Sequence, residues 1–97
     1  MWFQAGMAVV TVMLLAACSA GRGPTDPASL AAAGGDAAIF AAHCSVCHAL
    51  PHPERHDAAG WRILVPVMEL RMSQRGLPAL SDEEKASILS YLERHAR

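Results

Sequence analysis

Cys44-Ser45-Val46-Cys47-His48 places two thiols three positions apart, with an imidazole directly after the second. Three chemistries use such a pair. A redox dithiol of the thioredoxin kind needs strand-helix-strand surroundings, and no such alternation flanks this stretch. A closed zinc site needs a second ligand pair, and the spacing C-x-x-C-H-x-x-x-H-x-x-x-H, with His52 and His56 as further donors, matches no common zinc module. The third is covalent haem attachment, for which C-x-x-C-H is the pattern. Two thiols at this spacing at the end of a helix each reach one vinyl group of a single porphyrin, and the next residue projects its imidazole at the iron. The expectation is one haem c, held by thioethers to Cys44 and Cys47, with His48 as the proximal iron ligand.

Size and composition agree with a fold built around a cofactor. The chain has 97 residues, so there is room for one domain at most. Apolar residues make up 53% of it, but much of that is alanine and the N-terminal segment. Of the aromatics, Trp2 and Phe3 lie in that segment, leaving Phe40, Trp61 and Tyr91 for the folded part. So small a core ordinarily needs a staple such as a metal, disulfide or cofactor. The net charge of −1 excludes nucleic acid as the expected partner, because a phosphate-binding domain carries a basic excess. Three cysteines are too few for a disulfide framework and divide into Cys18 alone and the pair Cys44 and Cys47.

The chain carries no Asp, Glu, Lys or Arg before Arg22. Within that uncharged part, Met7 to Ala17 form an apolar run long enough for a secretory signal and too short to span a bilayer comfortably. The run ends in Leu15-Ala16-Ala17-Cys18, which resembles the lipobox of bacterial lipoproteins, although no Lys or Arg precedes it. That resemblance implies a signal peptide over 1–17, lipidation at Cys18 and a location at the periplasmic face of a bacterial membrane, where more than one acyl chain gives stable anchoring. An uncleaved helix with an incidental cysteine is the plainer alternative. Residues 18–34 are rich in Ala, Gly, Pro, Ser and Thr and read as a flexible tether. The export signal and the haem motif support each other, since haem attachment takes place outside the cytoplasm.

The flanks of the motif carry a second resemblance. Gly35-Asp36-Ala37-Ala38-Ile39-Phe40 before Cys44, and the capping box Ser81-Asp82-Glu83-Glu84 followed by Ile88-Leu89-Ser90-Tyr91-Leu92, are similar to the N- and C-terminal helices of class I c-type cytochromes. Between them Asp57 is placed to cap a helix running through Trp61, Ile63, Leu64, Val67, Met68 and Met72, with Pro66 expected to kink or interrupt it and Gly76 and Pro78 to end it. The resemblance implies an all-α, compact three-helix domain over 35–97 around one haem. It implies Met68 as the distal iron ligand, seven residues after Trp61. Met72, one turn on, is the rival, and His52, His56 or His95 are histidine alternatives. At least one of the two methionines is expected to be ordinary core packing.

With both axial positions filled there is no open site for substrate, so the implied role is one-electron transfer rather than catalysis. A redox partner protein is implied, such as a periplasmic dehydrogenase or oxidase. The alternatives are a dedicated cytochrome subunit of a dehydrogenase, and a haem-based sensor if the sixth position is open.

Overall fold

The structure is a computed structural model in which residues 25–97 are described. Over that range it is all-helical, with α1 at Pro27–Ala33, α2 at Gly35–Cys44, α3 at Ala58–Gln74, α4 at Asp82–His95 and a single 3₁₀ turn at Pro53–Arg55. The all-α expectation therefore holds; among the described residues there are four α-helices, three of them within 35–97 and α1 before it. The expected signal over 1–17, Cys18 and residues 18–24 lie outside the described residues.

The additional helix corrects the reading of 27–33 as part of a tether. Asp26 is its N-cap, accepting from the Ser29 backbone N–H at 2.9 Å and the Ser29 hydroxyl at 2.7 Å, and Pro27 occupies the first turn, where a missing N–H costs nothing. The helix packs on α2 and buries Leu30. Gly34 and Gly35 join the two at φ of 72° and 58°, a conformation open to glycine and strained for other residues, so the chain reverses with no intervening loop.

The remaining helices form where their caps specify. Asp57 accepts from the Gly60 N–H at 2.7 Å and starts α3 as expected. Pro66 does not interrupt it, because α3 runs unbroken from Ala58 to Gln74. The missing proline N–H removes a single i→i−4 bond, to the Arg62 carbonyl, and both residues are solvent-exposed, where water can satisfy that oxygen. Gly76 ends the helix at φ 71°, with Gly76 N–H donating to the Ser73 carbonyl and Leu77 N–H to the Met72 carbonyl, the bond pattern of a Schellman cap. At the start of α4 the Ser81 hydroxyl accepts from Glu84 N–H and the Glu84 carboxylate accepts from Ser81 N–H, both at 3.0 Å.

Helix α4 is the element that α2 and α3 share. Phe40 of α2 stacks on Tyr91 of α4 with ring centroids 5.0 Å apart, and Phe40, Ile88 and Leu92 are almost wholly buried. All four ion pairs seen among the described residues end on α4. Arg94 meets Asp36 at 3.2 Å and Glu84 meets His43, so α2 runs antiparallel to α4. Arg62 meets Glu93 at 3.6 Å and Glu69 meets Lys85 at 2.8 Å, so α3 does likewise. Two helices thus flank α4 in the same direction. They pack on it and not on each other.

Candidate functional site

Cys44 is the last residue of α2, and the chain then leaves the helix through Ser45, whose hydroxyl donates to the Ala41 carbonyl at 2.6 Å. Val46, Cys47 and His48 follow in an exposed bend, with Val46 59% exposed despite its apolar side chain. The far side of the bend is fixed. Leu50 is buried in the core, Pro53 is buried in the 3₁₀ turn, and the buried Trp61 indole N–H donates to the Pro53 carbonyl at 2.7 Å. After the motif the chain is extended at His52 and makes a single 3₁₀ turn at Pro53–Arg55. The motif is held between a helix end and a buried anchor.

The two thiols sit in different surroundings. Cys44 is partly buried, and desolvation pushes its thiol up from 9.0 to about 11. It also stands at a helix C-terminus, where the backbone dipole disfavours an anion. Both features oppose a thiolate nucleophile, which enzymes place at helix N-termini or beside cations. Neither opposes a thioether, which is neutral. Cys47 is exposed, and neither cysteine is in a disulfide.

His48 is exposed, with Nδ1 2.8 Å from the Ala49 carbonyl oxygen. A carbonyl only accepts, so in this bond Nδ1 carries the proton and Nε2 presents its lone pair, the tautomer that a metal-ligating imidazole uses. The other four histidines have structural partners. His43 pairs with Glu84, His52 Nδ1 accepts from the Glu54 N–H at 3.1 Å, His56 stands edge-on to Trp61, and His95 lies against Tyr91. Among the described residues no three His, Cys, Asp or Glu side chains come together as metal donors, so Cys44, Cys47, His52 and His56 do not assemble the tetrahedral set of a closed zinc centre.

Trp61, Leu64, Val65, Met68 and Met72 follow the i, i+3, i+4, i+7 spacing of one helix face. Trp61 and Val65 are buried and Leu64 packs against them. Met68, further along the same face, is 43% exposed, and Met72 is half-buried. Neither joins the buried core, which corrects the expectation that one of them is ordinary packing.

The ion pairs relate this face to the cysteines. His43, beside Cys44, is tied to Glu84, and Glu69, beside Met68, is tied to Lys85. Glu84 and Lys85 are consecutive, so the end of α2 and the Met68 turn of α3 stand at one level along α4, on helices that do not pack together. A depression of about 360 Å³ also adjoins the motif, lined by Thr25, Pro27 and the run from Ser45 to Leu50. No residue of α3 lines it.

The donor set suits a covalently held haem. It offers the Cys44 sulfur, whose burial favours the neutral form, the exposed Cys47 sulfur, an imidazole whose Nδ1 faces a carbonyl, and a thioether on a separate helix at the same level. What the residue pattern did not reveal is the exposed apolar group Ile63, Val67 and Leu70 on the outer side of α3. They repeat the i, i+4, i+7 spacing of Trp61, Val65 and Met68 two positions on, which could have signalled a second apolar stripe. Among the described residues no helix is long and apolar enough to cross a membrane. Comparison with protein-family models, with curated proteins and with solved structures finds no match to this chain.

Proposed function

We propose that this chain is a one-electron carrier with one haem c, joined by thioethers to Cys44 and Cys47, ligated by His48 Nε2, and ligated on the opposite side by Met68 Sδ. The observation that carries this reading is the common level of Cys44 and Met68 along α4, on two helices that leave each other unpacked. The group supplies a single-electron iron couple when bound, and a Met ligand favours its reduced state.

The protein's own part is to hold and orient. The Ala49 carbonyl fixes the His48 ring and leaves Nε2 as the donor atom. The Trp61 bond to Pro53 holds the segment after the motif against the start of α3, so the loop that bears His48 and the helix that bears Met68 are tied together. Apolar Val46 and Leu64 offer surface for a macrocycle without a charge to desolvate. With His48 and Met68 both holding the iron, the group would supply electron carriage and leave no open position for substrate. We place the carrier at the periplasmic face of a bacterial membrane, lipidated at Cys18, with a redox protein as partner.

Expression of the full chain with haem-attachment machinery tests this directly. Haem should remain on the polypeptide after denaturation, be retained through one bond in Cys44→Ala or Cys47→Ala, and be lost in the double variant. A redox titration should follow a one-electron curve. Haem that is extracted freely from the wild-type chain would refute the assignment.

A further inference from the structure

Among the described residues, helix α3 packs on α4 alone, and neither α1 nor α2 lies against it. Its outer side is nevertheless apolar. Ile63, Pro66, Val67 and Leu70 recur at i, i+3, i+4 and i+7, the pattern of a helix face that is ordinarily covered. Here Ile63 is 70% exposed, Leu70 58% and Val67 40%, and Pro66 is exposed as well. Single exposed apolar residues need no explanation, but a contiguous stripe does. The stripe has two unlike edges. One carries Arg62 and Glu69, seven residues apart and both tied to α4. Arg62 meets Glu93 through Nε and Glu69 meets Lys85 through Oε1, so the Arg62 terminal nitrogens and Glu69 Oε2 keep capacity for a further bond. The other edge carries Leu64 and Arg71, with Arg71 Nη1 3.4 Å from Gln74 Oε1.

We propose that α3 pairs through this stripe with α3 of a second copy of the chain, antiparallel, about a two-fold axis beside Pro66 and Val67. Under that symmetry Ile63 meets the copy's Leu70 at both ends and Pro66 meets the copy's Val67, so apolar side chains face each other along the whole stripe. Such a two-fold also sets like edge against like edge. Arg62 therefore comes beside the copy's Glu69, within two residues of the same level, or about 3 Å along the axis. The two Arg71 side chains fall nine residues apart, about 13 Å, which exceeds the Debye length at physiological salt. Antiparallel helices also oppose their macrodipoles, whereas parallel ones align them. The mixed signs on the Arg62 edge suit a second copy better than a bilayer, because anionic head groups would face the Glu69 carboxylate. A single helix pair falls short of the roughly 800 Å² per partner of standard interfaces, so the dimer is a weak one. It uses the face opposite Trp61 and Val65 and makes no demand on Cys44, Cys47 or Met68.

Sedimentation velocity of the full chain, in neutral detergent at large molar excess over protein, tests this over about 10–500 µM. The dimer fraction should rise with concentration. Ile63→Asp and Leu70→Asp alter exposed side chains, so helicity by circular dichroism should be unchanged. Each should raise the dissociation constant at least about 100-fold, since the two-fold repeats every substitution and the new carboxylate enters an apolar contact. A photo-reactive p-benzoylphenylalanine in place of Leu70 reads the register in a mixture of unlabelled and isotope-labelled chains. It should attach to the Ile63 turn of the other copy. A chain that stays monomeric throughout, or a dimer that survives both aspartate substitutions, would overturn the proposal. Attachment to the Leu70 turn of the copy would mean parallel pairing and overturn it too. So would attachment to lipid instead of protein on vesicles of phosphatidylethanolamine and phosphatidylglycerol, which would assign the stripe to the bilayer.

Discussion

With its thiol pushed up to about 11, Cys44 is a thiolate at pH 8 for about one molecule in a thousand. Cys47 stands in solvent three residues away. In the haem-free protein, iodoacetamide at pH 8 should therefore modify Cys47 well ahead of Cys44, as peptide mass mapping over time would show. Equal rates would mean that the end of α2 is open in solution. Trp61 is the second residue on which the site depends. Trp61→Phe keeps an aromatic ring but removes buried volume and leaves the buried Pro53 carbonyl without its donor, the latter alone a loss of about 1–3 kcal/mol. Thermal unfolding should register that cost, and proteolysis should quicken between His48 and Asp57, the segment that the bond restrains.

At the scale of elements, caps decide where helices begin and end, and most of them were legible. Asp57, Ser81 with Glu84, and Gly76 each act where the residue pattern places them. Helix α1 was missed for a physical reason. Its start signal, Asp26-Pro27 with Ser29, lies inside a stretch whose Gly and Pro content reads as linker, and Leu30 alone marks its buried side. Pro66 misled in the opposite direction, because a single lost bond at an exposed carbonyl is tolerated by a helix of seventeen residues. Pro66→Ala should accordingly stabilise the protein, by about 1–3 kcal/mol, in chemical denaturation. The α4 cap carries a pH dependence. The Ser81 N–H and hydroxyl, with a smaller contribution from His43, hold the Glu84 carboxyl below its ordinary 4.5. A lowered folded value means that the stabilisation is complete above about 4.5 and is lost as the pH falls through the folded value. Ser81→Ala should cost about 1 kcal/mol at neutral pH and flatten the loss of stability on acidification below 4.5.

For the whole molecule, the cysteine motif and the terminal helices could be read from residue types, whereas the relation between Cys44 and Met68 could not. That relation depends on which residues of α4 receive the ion pairs from His43 and Glu69, and local pattern carries no such information. Its consequence is energetic as well as spatial. A His48–iron–Met68 link closes a chain of twenty residues, for which the chain-entropy estimate is about 3 kcal/mol. In a domain of this size that corresponds to roughly 12–24 °C in Tm. Holoprotein should melt higher than the haem-free chain by at least that margin, and Met68→Ala holoprotein should forfeit much of the gain while keeping its thioethers.

The most direct measurement is the absorption spectrum of the holoprotein in both redox states for the wild type, Met68→Ala and Met72→Ala. The proposed ligation gives a covalent c-type spectrum when reduced and the weak Met-to-iron band when oxidised, with the band lost in Met68→Ala and kept in Met72→Ala. A band that survives Met68→Ala and vanishes in Met72→Ala would move the ligand one turn along α3. A wild-type haem spectrum without the band would contradict Met ligation altogether.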